Sequence, residues 1–421
     1  MSYLLILLKA DMKATDSLQA APKQTAQRIL GVTLIVTLIS VAGIALPYPV
    51  LAPLFHDNSS PLTHFMGLPS EFLMGIVLGI YPLGIIIGGS FIGSLSDTYG
   101  RKRMLSLTLM GSALGYGLTA FAAHSEQFVL FCLARLLTGI CEGNIAIARA
   151  IAADLHPQID KTRSFSLISA MGYGGYLLGP LAGGYLIYWG METVFGAAAL
   201  ACILCALLSH HLLPRQLDET QANAEKGSSL VLLREPALRR FFLLYLLLTM
   251  GVNFYYEFYP LHLVQQADFT PAQISWVTVL LTGCMIATSI WFTPVLQRRL
   301  NHASASLVGI LLFGASLACF PYLTNDSYLL TFMTIGAGIA IYNSFLPTYL
   351  SHAYQDRPQG QLMGMLVTIF CVGNLLAALF GGLLAVFDVK IVLLIGALCA
   401  AAAGAILYHG HFKREYWPAH N

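Results

Sequence analysis

Two carboxylates, Glu142 and Glu257, stand deep inside apolar stretches of this 421-residue chain, and they limit the chemistry open to it. An ion at the centre of a bilayer costs roughly 2.5–3.5 kcal/mol on insertion scales, so such residues mark proton or ion pathways. Arg135, Glu142 and Arg149 are spaced seven residues apart. That is close to two helical turns, which places all three on one face of a continuous helix at intervals of ~10.5 Å. Burial favours the neutral carboxyl and a neighbouring guanidinium the charged one, and these opposed effects let one group both take up and release a proton. Arg135 reads either as part of that coupling or as a structural cation binding main-chain carbonyls. Arg149 reads either as a cavity residue or as one that snorkels to the inner surface.

Glu257 lies in Asn253-Phe-Tyr-Tyr-Glu-Phe-Tyr-Pro260. Helical spacing puts Asn253, Glu257 and Pro260 on one face, while Tyr255, Tyr256 and Tyr259 supply rings with hydroxyls. An acid among rings suits a cation or amphiphile; the plainer reading is an aromatic belt at the membrane interface, with His262 at the outer surface. Further along, Tyr342, Asn343, Ser344, Tyr349 and Asn374 offer neutral hydrogen-bonding groups to a substrate.

The elements that must hold these residues are membrane spans. Hydrophobic residues make up 57% of the chain and charged residues 10%, with a mean hydropathy of +0.71; a soluble domain carries about 25% charged residues. Runs long enough to cross a bilayer occur at 29–56, 71–95, 104–123, 127–153, 164–190, 192–212, 239–263, 271–297, 303–322, 327–353, 361–387 and 389–410, numbered here spans 1 to 12. With the N-terminus inside, nineteen of the 22 lysines and arginines fall in cytoplasmic segments, which orients the chain with both termini cytoplasmic. The simple tails and short loops point to a bacterial inner membrane.

Composition also excludes. A net charge of +2 with no long cationic run gives no footing for nucleic acid. All eight cysteines sit in apolar runs, which argues against disulfides or a zinc site, Cys202-x-x-Cys205 included. No Gly-x-Ser-x-Gly, His-Glu-x-x-His or phosphate-cradling loop is present, so neither enzyme activity nor a cofactor or metal is expected.

Residues 93–103, Gly-Ser-Leu-Ser-Asp-Thr-Tyr-Gly-Arg-Lys-Arg, read as a basic cytoplasmic turn in which Asp97 is the locking acid. The chain repeats itself as well: residues 175–184 match 373–382 at an offset of 198, which also carries Arg101 onto Arg299. The expected organisation is therefore an all-α membrane protein with a duplicated six-span unit: a tail at 1–28, bundles at 29–212 and 239–412, a polar linker at 213–238, and a second tail at 413–421. Transporters that rock two bundles about a midplane site are built this way. Gly175, Gly179 and Gly183 recur every four residues, forming a stripe that admits a close neighbour, and Pro180 permits a bend.

Gly93-x-Leu-x-Asp97-x-x-Gly100-Arg101-Lys102 resembles the signature between spans 2 and 3 of the major facilitator superfamily. Arg135-x-x-Thr138-Gly139 is similar to its second motif. Gly175-x-x-x-Gly179-Pro180-x-x-Gly183-Gly184 resembles its third, found in proton-driven exporters. The resemblance covers residues 29–412 and points to the twelve-span drug and metabolite:proton antiporters. It implies two six-helix bundles related by a pseudo-twofold, a gate built from the first and third motifs, and a monomer whose partners are protons, a small organic molecule and lipid. Many related exporters carry a carboxylate in span 1; residues 29–56 have none, which shifts the expected proton site to Glu142. The alternatives are an exporter dedicated to an anionic metabolite or siderophore, favoured by Arg135 and Arg149, and a proton-coupled uptake symporter.

Overall fold

The computed structural model describes residues 23–57, 60–155, 158–159, 161–218, 229–323, 327–354 and 359–412. Most of both tails and residues 219–228 of the linker lie outside them. Fifteen α-helices and no strand occur among the described residues.

Eleven segments among the described residues have the length and hydropathy to cross a membrane. The expected span 5 is a further helix of 26 residues, Lys161–Leu186, about 39 Å long at 1.5 Å per residue. Span 1 begins six residues earlier than expected, at Lys23. Local chemistry sets several starts. Thr270 forms a capping box with Gln273 ahead of span 8, the Asn301 side chain accepts the Ser304 N–H ahead of span 9 at 2.8 Å, and Asp388 accepts the Lys390 N–H ahead of span 12 at 2.8 Å. Each satisfies an amide that has no partner within its own helix.

Two spans expected to be continuous are broken. Span 1 divides into Lys23–Ala45 and Tyr48–Asp57, because Pro47 brings no N–H to the ladder and restricts Leu46 before it. Span 4 divides into Phe128–Cys141 and Asn144–Asp154 around Glu142 and Gly143. Span 8 stays continuous but passes through a π-helical turn, Thr288–Phe292.

The described residues form two compact units, those within 1–47 and 83–226 and those within 48–82 and 227–421. In the first, spans 1 and 5, 3 and 6, and 3 and 4 pack as pairs. Its core is built from Ile29, Val32 and Val36 of span 1, Leu105 and Leu109 of span 3, Ile147 and Ile151 of span 4, and Ile168 of span 5. In the second, the pairs are 7 with 11, 9 with 12, 9 with 10 and, more extensively than its counterpart in the first unit, 7 with 12. The repeat detected in sequence thus reappears as three helix pairings common to both units. The second unit also holds Tyr48–Asp57 against spans 7 and 8.

Candidate functional site

In the first unit the site is organised by the interruption of span 4. Glu142 caps the helix Phe128–Cys141, with φ −74° and ψ 19° and its N–H bonded to Gly139 O. The helix resumes at Asn144. Gly143 is needed at the break: a Cβ there would come within 2.3 Å of the Ile92 side chain.

The helix expected to carry Arg135, Glu142 and Arg149 on a single stripe is divided by this break. Arg135 is 2% exposed, its guanidinium carbon 5.9 Å from the centre of the Phe195 ring on span 6. Glu142 is 5% exposed and accepts a hydrogen bond from the Tyr116 hydroxyl of span 3 at 3.4 Å. Arg149, beyond the break, is exposed. Tyr116 was not anticipated; only its polarity inside an apolar run signals it. Its hydroxyl lies against span 1 at Gly43, where a Cβ would stand 2.5 Å away.

The basic turn differs from expectation in shape, and groups beyond it hold its cations. The helix of span 2 runs on to Tyr99, so Gly93 and Asp97 belong to its last turns and not to a loop. The reversal falls on Gly100 alone, at φ +97°, a conformation that favours glycine. The Asp97 side chain lies outside the described residues, so the lock it was expected to form is not among those seen. Other acids hold the cations. Arg101 Nε stands 2.5 Å from Asp154 Oδ2, at the end of span 4. Lys102 Nζ donates to Leu213 O at 2.6 Å. Asp218, in the linker, accepts the Arg103 N–H at 2.9 Å and lies 3.7 Å from Arg103 Nε. Asp218 thereby caps the start of span 3 from 115 residues away, a partnership that sequence proximity cannot reveal.

The glycine stripe of span 5 meets span 1. A Cβ at Gly175 would lie 2.8 Å from Leu38 O, and one at Gly179 would lie 2.3 Å from Ala42 O. Pro180, Gly183 and Gly184 are buried in the same helix.

In the second unit, Asn374 of span 11 donates to Asn253 Oδ1 of span 7 at 2.9 Å, and Asn253 donates to Thr249 O at 2.8 Å. Glu257, one turn on, is 2% exposed, and neither carboxylate oxygen has a hydrogen-bond partner among the described residues. Tyr256 donates to Met285 Sδ at 3.3 Å. Tyr255 and Tyr259 stack at 5.0 Å and join Phe320 and Phe332 in a buried ring cluster. An aromatic belt at the surface does not describe these residues. His262, expected at the outer surface, is 0% exposed and lies 5.2 Å from the Phe320 ring. Tyr342 is buried beside Phe313, and Asn343 is exposed. Cys202 and Cys205 are buried free thiols, and no group of three metal-binding His, Cys, Asp or Glu occurs among the described residues.

Among the described residues the chain thus has two units that share helix pairings, with Glu142 buried in one and Glu257 in the other. It resembles known transporters over most of its length. It is 23% identical over 358 residues to the tetracycline resistance protein, class H, of Pasteurella multocida, covering 83% of this chain and 86% of that protein. It is 24% identical over 362 residues to the quinolone resistance protein NorA of Staphylococcus aureus (strain COL), covering 83% and 87%. Its fold matches a crystal structure of a bacterial homologue of the human lysosomal transporter Spinster, inward-facing and unoccupied, with a TM-score of 0.73 at 15% identity over 95% of this chain and all of that one. The Major Facilitator Superfamily profile matches residues 29–365 and 241–416; the chain is a multi-pass membrane transporter belonging to that superfamily.

Proposed function

We propose that this protein exports a small, drug-like or metabolite molecule in exchange for protons, with Glu142 as the principal proton carrier. The observation that supports this reading is the position of Glu142: a carboxyl 5% exposed, at the interruption of a membrane span, with a hydroxyl as its hydrogen-bond donor. At that depth the charged form is costly, and Tyr116 offers a bond to either form. Protonation and substrate binding at the same unit then compete, which is the linkage antiport requires. Relatives named for drug resistance favour export over uptake. Glu257 is the second candidate proton site, and Asn253, Tyr256, Tyr342, Asn343, Asn374 and Arg149 are candidate substrate contacts. The first and third motifs supply the gate for alternating access by bundles at 29–212 and 239–412, in a chain with cytoplasmic termini that works as a monomer.

The test is efflux from everted vesicles with and without a protonophore. Glu142→Gln should abolish gradient-driven efflux and flatten the pH dependence of substrate binding while the protein stays folded. If Glu142→Gln still drives uphill transport and Glu257→Gln does not, the coupling site belongs in span 7. A second reading, export of an anionic metabolite, is favoured by Arg135, a guanidinium only 2% exposed inside a span. Lipophilic cations assayed against carboxylates separate the two.

A further inference from the structure

Just past Arg298 and Arg299, the second unit brings two histidines together from neighbouring spans. His302 opens the helix of span 9 and His352 stands in the last turn of span 10. Their ring centroids are 5.1 Å apart, with the ring planes at 89°. The pair rests on an apolar floor. Ala305 of span 9 and Ile341 and Phe345 of span 10 form a buried cluster between the two helices, and the Phe345 ring lies 5.8 Å from that of His302. The backbone beneath His302 is fixed by its neighbours: Asn301 caps the helix through the Ser304 N–H, and Ser306 Oγ donates to His302 O at 2.7 Å. His352 follows Phe345 by seven residues, two turns on along the same face, and is exposed.

His302 Nδ1 is buried and has no hydrogen-bond partner among the described residues. Whichever tautomer the ring takes, this nitrogen needs a partner, and leaving it without one costs stability. The spacing of the rings indicates what could fill the gap. A tetrahedral metal ion bonded at about 2.1 Å to a ring nitrogen stands about 3.2 Å from the ring centre, so two imidazoles sharing one ion have centroids about 5.2 Å apart. The 5.1 Å between His302 and His352 matches that separation, and turning the rings about χ2 aims a nitrogen of each at one point.

We propose that His302 and His352 bind a divalent transition-metal ion, zinc being the type case, with water completing its coordination. Imidazole suits zinc, copper and nickel, whereas magnesium and calcium take oxygen. The local field does not select the ion. The last turn of span 10 favours a cation, while the first turn of span 9 and the exposed Arg298 and Arg299 oppose one. Binding therefore rests on the coordinate bonds. Two protein ligands are fewer than a structural zinc site uses, so the ion is exchangeable, and when bound it ties the end of span 10 to the start of span 9. Neither this site nor the proposed proton coupling depends on the other.

The test is calorimetric titration of zinc chloride into chelator-treated full-length protein that carries no histidine tag, in detergent, with the melting midpoint followed in parallel. The expected result is saturable binding of one zinc ion per chain that raises the midpoint, with no such effect from magnesium. His302→Ala and His352→Ala should each weaken binding at least about tenfold, the least that losing even an outer partner costs a metal site. His210 and His211, adjacent on span 6 with rings 5.3 Å apart and both exposed, provide the control: His211→Ala should leave binding unchanged. Wild-type protein that elutes as one species and binds no zinc saturably overturns the proposal. So does undiminished binding by His352→Ala, a change at an exposed position that leaves the buried cluster in place, or loss of binding on His211→Ala alone.

Discussion

The two copies of the repeat solve the same packing problem with different chemistry. In the first copy, span 5 lies so close to span 1 that a Cβ at Gly179 would reach 2.3 Å from Ala42 O. In the second, Ala377 stands where Gly179 does, Ala378 where Pro180 does, and Asn374 where Tyr176 does. Span 11 is joined to span 7 by the Asn374–Asn253 hydrogen bond at 2.9 Å. The basic turn shows the same divergence. Arg101 is held by Asp154, whereas its counterpart Arg299 is exposed at the end of span 8. The deep acids also sit on non-equivalent spans, 4 and 7. The halves share three helix pairings and differ in where each places its deep ionisable group.

The harshest test of this contrast is at the helix crossing. Gly179→Val should abolish transport and reduce the yield of monodisperse protein, because the clash is with backbone, which cannot rotate away. Ala377→Gly, the reverse change in the other copy, should cost about 1 kcal/mol in helix propensity and keep transport. Efflux assays with size-exclusion profiles read both.

Next come the arginines. Arg101→Gln leaves Asp154, 14% exposed, without its cation and should destabilise the protein by about 2 kcal/mol, between the values for exposed and buried pairs. Arg299→Gln should leave the thermal midpoint of the detergent-solubilised protein unchanged. Equal shifts for the two would mean that the halves are latched alike.

A smaller effect is expected in the second copy alone. Asn374→Ala strands the Asn253 oxygen and should cost about 1 kcal/mol, seen as a lowered melting midpoint. The smallest is Asp218→Asn. It keeps an acceptor for the Arg103 N–H and loses only attraction to a guanidinium 77% exposed, so about 0.5 kcal/mol or less is expected, vanishing in high salt.

Hydropathy, charge bias and the repeat made the helical architecture and its duplication legible in the sequence, because a lipid environment leaves few alternatives to helices. The tight contact of the span 5 glycines was legible too, though not that its partner was span 1. What escaped notice depended on the third dimension. A two-residue interruption at Glu142 and Gly143 leaves hydropathy untouched yet breaks the helix that was to carry Arg135 and Arg149 on one face. Asp154 and Asp218 reach the basic turn from distant segments, so no spacing rule finds them. His262 looked like an interface residue because span 7 ends nearby; the rings of spans 9 and 10 that bury it are remote in sequence.

The seam between spans 1 and 5 bears on the energy economy of a cell. A machine driven by an ion gradient is wasteful if ions slip past it, and protons travel along any file of water molecules. Where the backbones at Gly179 and Ala42 approach so closely that a methyl group would not fit, no water file can form either. Under the proposed proton coupling this seam would act as electrical insulation, and enlarging Gly179 is expected to raise passive membrane conductance, measurable in vesicles that contain no substrate at all.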